Sequence, residues 1–116
     1  MKETADQISD FHKLQKEFGF LESIKLHREI GAEGCTEYSA EIIMCDYPSY
    51  SVGNKLLLLF HGMKDIFFGD IEGLLKLQIT VIDVEGDQWE KIRFKVKEVE
   101  HEQFSFYCDD FSFRVI

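Results

Sequence analysis

The sequence predicts an α+β fold in which one N-terminal helix packs on a largely antiparallel, meander-like β-sheet of about six or seven strands, either strongly curved or rolled into an open barrel. Three observations point there. Apolar residues recur at spacings of three and four as far as Phe18 and at spacings of two from Phe20 onward, the change from helical to strand periodicity. Residues 55–60, KLLLLF, hold the longest unbroken run of apolar side chains; that suits a central strand covered on both faces and is too short for a membrane span. Residues 74–99 can be laid out as a hairpin with the apolar side chains of both strands on one face.

Taken in order, residues 4–18 read as an amphipathic helix whose apolar side carries Ile8, Phe11, Leu14 or Gln15, and Phe18. Thr4 and Gln7 have the spacing of a capping box, and Gly19 supplies the stop by adopting positive φ. In residues 20–30, Phe20, Ile24, Leu26 and Ile30 point toward the helix, while Ser23, Lys25, His27 and Glu29 point to water. After a turn at Gly31 and Gly34, a second strand at residues 36–46 runs antiparallel to the first with Tyr38, Ala40, Ile42 and Met44 on one face. Residues 48–54 show no buried pattern, the central run follows, and the chain should bend or bulge at His61-Gly62 before resuming as KDIFF.

For the hairpin, a two-residue turn at Gly86-Asp87 sets Val81 opposite Ile92, Ile79 opposite Phe94 and Leu77 opposite Val96, and leaves Gln78 facing Lys95, Thr80 facing Arg93 and Val84 facing Trp89. Phe104, Phe106 and Cys108 then share one parity, and Phe111, Phe113 and Val115 the other. The shift at Asp109-Asp110 is read as a bulge, because a turn there would lack Gly and leave two very short strands.

A chain of 116 residues, 45% hydrophobic, with eight Gly and one Pro, is the size of a single domain with its own core, so residues 1–116 are read as one unit. The start of the chain lacks a basic segment followed by an apolar one, which points to the cytoplasm and away from a membrane. Cys35, Cys45 and Cys108 lack the close pairing of a zinc or redox motif, and free structural thiols are the simpler assignment. A formal charge of −9 disfavours nucleic acid, which requires clustered Lys and Arg, and favours a basic protein partner. Lys91, Arg93, Lys95 and Lys97 alone form a basic stripe, better explained as the guarded outer face of a strand than as a nucleic-acid ribbon.

Catalytic and metal-binding signatures are weak. His12, His27, His61 and His101 are scattered, and HExxH, CxxC and EF-hand spacings do not occur, so neither a cofactor nor an enzyme is expected. Asp109-Asp110 reads as an acid-rimmed bulge before it reads as an acid-base pair. What remains is a binding surface of carboxylates and aromatic rings outside the core, for which Tyr47, Tyr50, Asp65, Asp70, Glu72, Asp109 and Asp110 are the candidate partner contacts. The alternative is a small apolar ligand held between helix and sheet, since the eleven Phe could line a cavity as well as fill a core. An edge strand would also offer a route to a homodimer.

Leu58, Phe60, Gly62, Met63, Lys64, Ile66 and Phe68 spell L-x-F-x-G-[MV]-K-x-I-x-F; Trp89 follows the hairpin turn, Phe94 comes next, and Phe104, Phe106, Cys108 and Asp110 spell F-x-F-x-C-x-D. In this the chain resembles a group of small bacterial proteins that includes immunity proteins found beside polymorphic toxins. Leu21-Glu22 stands where that group commonly has a histidine-aspartate pair. Nearly all the shared positions belong to core or turns, so the resemblance implies the fold first. Second, it implies a non-enzymatic protein that occludes a cationic toxin domain.

Overall fold

A computed structural model describes residues 2–30, 36–46, 54–69, 76, 78–84, 93–99 and 102–116, giving backbone alone for residues 2–5. Helix α1 (Lys2–Leu14) continues into a 3-10 turn (Gln15–Glu17) and is followed by β1 (Phe20–Ile30), β2 (Thr36–Cys45), β3 (Lys55–Phe68), β4 (Ile79–Asp83), β5 (Phe94–Glu98), β6 (Phe104–Cys108) and β7 (Asp110–Val115). These strands form one antiparallel sheet in the order β1-β2-β3-β6-β5-β4, with β7 also paired to β3. The sheet curves without closing; its margins approach at the isolated bridge between Phe20 of β1 and Lys76, which precedes β4.

The helix differs from expectation at both ends. It begins upstream of Thr4, which is therefore no N-cap, and Gln7 reaches across to donate from Nε2 to the Phe111 carbonyl at 2.9 Å. At the other end the chain leaves helical geometry at Phe18 (φ −131°), whose N–H donates to the Gln15 carbonyl. The tight last turn satisfies that carbonyl, so Gly19 has no need of positive φ and does not adopt it. On the buried side Phe11, Gln15 and Phe18 lie inward, with Leu14 at the margin; spacings of four and three from Phe11 select Gln15.

One face of the sheet and α1 enclose the core. Leu56, Leu58 and Phe60 of β3 are fully buried there; on the opposite face Leu57 is buried and Leu59 half-buried, as a central strand requires. Aromatic rings fill the centre: Phe94 meets Phe111 edge-on at 4.9 Å, Phe60 meets Phe106 edge-on at 5.0 Å, and Phe11 brings the helix onto Phe111 and Phe113. Each such contact adds about 1 kcal/mol beyond area burial.

Two strand expectations are corrected. Leu26 and Ile30 keep the expected face but stand uncovered, 47% and 73% exposed, because α1 docks over β4 and β7 at the other end of the sheet and β3 accompanies β2 only as far as the Tyr38–Met63 pair; Phe20 leaves that face, since a bulge between Leu21 and Ser23 sets Leu21 with Ile24 opposite Met44 and Ile42. In the hairpin, Val81 pairs with Val96, Ile79 with Glu98, and Asp83 with Phe94; Thr80 faces Lys97, and Val84 N–H donates to the Arg93 carbonyl. The apolar faces are as predicted, with Ile79, Val81, Phe94 and Val96 buried, but the register is displaced by an even number of residues. Such a slip leaves every side chain on its face, so alternation could not detect it; β5 takes its place from β6, where Phe94 pairs with Cys108 and Val96 with Phe106. The predicted turns at 31–34 and 86–87, with Leu77, Trp89, Lys91 and Ile92, lie outside the described residues.

Candidate functional site

Strand β3 is the spine of the molecule, and two bends in it shape the surface. At Gly62 (φ +63°) the inward phase jumps from Phe60 to Met63; at Asp65 (φ +52°) it shifts again, so that Ile66 and Phe68 pack on the core. The partner strand flips at the same level. His61 pairs with Asp110 and Lys64 with Tyr107, in one continuous register, and Asp109 N–H donates to the His61 carbonyl at 3.0 Å. β6 and β7 therefore run on in the same direction through a kink at Asp109, with no reversal of the chain. A Cβ on Gly62 would lie 2.8 Å from the Asp109 Cβ, so the close approach as well as the left-handed backbone requires glycine.

Three of the seven candidate contact residues flank this double bend. Asp109 sits against Gly62, Asp110 pairs across from His61, and Asp65 follows three residues along β3; all three are exposed. Tyr47, Tyr50, Asp70 and Glu72 lie outside the described residues. Asp65 is a non-glycine residue held in the left-handed region, tolerable because a short carboxylate side chain accommodates it better than most, and characteristic of bulges that aim a side chain outward. Beside it runs an open groove of about 630 Å³, whose walls include Leu26, Tyr38, Met63, Lys64 and Ile66. Charge at the rim and apolar side chains in the floor suit a protein surface more than a catalytic centre.

Beneath the bend lies Cys108. Burial first, then the Asp110 and Asp109 carboxylates, push its thiol up to about 12, so it is protonated and a poor nucleophile. Cys45 is likewise free and buried; Cys35 lies outside the described residues. Among the described residues, three or more His, Cys, Asp or Glu do not converge as a metal site, and no helix is long and apolar enough to cross a membrane. Between helix and sheet, where an apolar ligand would sit, Phe11 occupies the space against Phe111 and Phe113.

Two buried polar residues have roles that the sequence did not reveal. Gln15 presents both ends of its carboxamide to β4, accepting from Ile79 N–H at 2.8 Å and donating to the Ile79 carbonyl. Glu98, fully buried, accepts from Gln103 N–H at 3.2 Å, and the Gln103 carbonyl in turn accepts from Gly69 N–H. Parity alone would have flagged Glu98, which shares a face with Phe94 and Val96.

A family model described as Immunity protein PIM8 matches residues 3–114. The chain belongs to that family. No curated protein and no solved structure matches it. Membership in the immunity-protein family, spanning α1 through β7, assigns an immunity-type role.

Proposed function

We propose that this protein neutralises a toxin by binding it in the bacterial cytoplasm, without chemistry of its own. The family match along nearly the whole chain is the observation that carries this. The toxin domain is basic, drawn in by a chain of net charge −9, and it meets the bend of β3 that Asp65, Asp109 and Asp110 flank. Tyr47, Tyr50, Asp70 and Glu72 are the further contacts that the sequence nominates. Carboxylates at such a bend accelerate encounter, while the apolar floor of the groove beside Asp65 sets the lifetime of the complex. A homodimer, if one forms, uses the outer edge of β1 beside the exposed Leu26 and Ile30.

The test is to express the protein with the toxin domain encoded by the neighbouring reading frame and to measure complex formation and toxicity. Replacing Asp65, Asp109 and Asp110 by Lys should lower the association rate at least about tenfold and flatten its dependence on salt. Absence of a complex with the encoded neighbour would remove the function. A complex whose association rate and salt dependence ignore the triple replacement would place the contact elsewhere.

A further inference from the structure

Among the described residues strand β4 ends the sheet, and an edge of this kind, left unprotected, invites pairing with foreign strands. Here the protection comes from helical side chains. Val84 and Val99 donate across the hairpin to Arg93 and Gln78; by the alternation of an antiparallel ladder, the amides of Thr80 and Ile82 face β5 and those of Ile79 and Val81 face outward. Gln15 supplies Ile79 with the donor and acceptor that a neighbouring peptide unit would provide. His12 supplies the acceptor for Val81, whose N–H reaches Nε2 at 3.1 Å.

Those two side chains differ in one respect. A carboxamide does not titrate, whereas an imidazole accepts only while neutral; protonated, it has two N–H donors and no acceptor, and would set N–H against N–H. We propose that α1 is a proton-operated latch on the open edge of the sheet: uptake of a proton by His12 releases Val81, while Gln15 keeps hold of Ile79. The outward amide of Val81 is then open to another strand.

Among the described residues, the charged groups around His12 are Lys13 and Lys16 from α1 and Asp83 from β4, which share a groove of about 620 Å³. Burial first, and then the charge of Lys16, hold the His12 pKa below its ordinary 6.5. Between the folded value and 6.5 the unfolded chain binds the extra proton, so the latch contributes fully above 6.5 and is lost as pH falls through the lower folded value. Because Nε2 is the acceptor, the neutral ring carries its proton on Nδ1.

Amide exchange of the ¹⁵N-labelled full-length chain, followed by NMR while the imidazole ¹⁵N shifts report the state of His12, tests this directly. The Val81 protection factor should fall on the order of tenfold as His12 protonates, with Ile79, Thr80 and Ile82 unchanged, and the neutral ring should show the Nδ1–H tautomer. In His12→Gln, which offers a non-titrating acceptor, Val81 protection should be flat over the same range; in His12→Ala it should be low throughout. The latch is overturned if Val81 protection stays constant while His12 titrates, if all four amides fall together, if His12→Gln keeps the pH dependence, or if the neutral ring carries its proton on Nε2.

Discussion

Gly62→Ala isolates the feature on which the double bend depends. Alanine would have to hold φ near +63°, at a cost of about 1–2 kcal/mol for a residue with a Cβ in the left-handed region. Its new methyl group would lie 2.8 Å from the Asp109 Cβ and 3.2 Å from its Cγ. Since a Cβ moves only with its backbone, the conflict forces β3 and the β6–β7 kink apart, which overpacking costs put at about 1–3 kcal/mol. Together these give about 3 kcal/mol, or a fall in Tm of about 12 °C for a chain of this size. Urea denaturation read by tryptophan fluorescence and far-ultraviolet circular dichroism would measure it, with an unchanged m-value showing that stability alone has moved. Asp109→Gly removes the steric partner and leaves the backbone penalty, so a double-mutant cycle should return a coupling of about 1–2 kcal/mol. A loss below about 1 kcal/mol for Gly62→Ala, or no coupling to Asp109, would refute the account of the bend.

Other expectations follow from the same packing. Gln15→Leu leaves the Ile79 N–H and carbonyl buried without partners and should cost about 2–6 kcal/mol at about 1–3 per group; a neutral result in urea would show that β4 does not need the carboxamide. Phe111→Ala removes a fully buried ring touching Phe11, Phe60, Phe94 and Phe113, for a loss of about 3–5 kcal/mol. Phe113→Ala, only half-buried, should cost less, and the reverse order in thermal melts would contradict the core as drawn. Alkylation of the native protein, mapped by mass spectrometry, should leave Cys108 unmodified until denaturant is added, its thiol being buried and raised to about 12; rapid native labelling would contradict both its burial and its protonation.

Much of this architecture is local and therefore legible in the chain. A helix declares itself by spacings of three and four, a strand by alternation, and the run at KLLLLF by having no dry neighbour to spare. The bends at Gly62 and Asp109 each left a phase shift in the pattern, which alternation exposes. Other features left no such trace. The hairpin register slipped by an even number of residues because faces are conserved under that slip and only pairing with β6 distinguishes the alternatives. Leu26 and Ile30 obey the strand pattern yet stand in water, because the pattern records which side a residue occupies and not whether anything covers it.

For the bend the division is sharper. Asp65, Asp109 and Asp110 could be named as surface carboxylates from the sequence, but their placement about one bend depends on two distant strands bending at the same level, with the Asp109 side chain seated where Gly62 has none. The role of Gln15 was equally hidden: a glutamine on the apolar side of a helix is an anomaly until β4 arrives with an N–H and a carbonyl to fill. Residue order determined the elements, their faces and the family, since those follow from periodicity and a few required glycines. Tertiary structure alone decided register, exposure and the partners of buried polar groups, because each of these depends on what packs against an element from elsewhere in the chain.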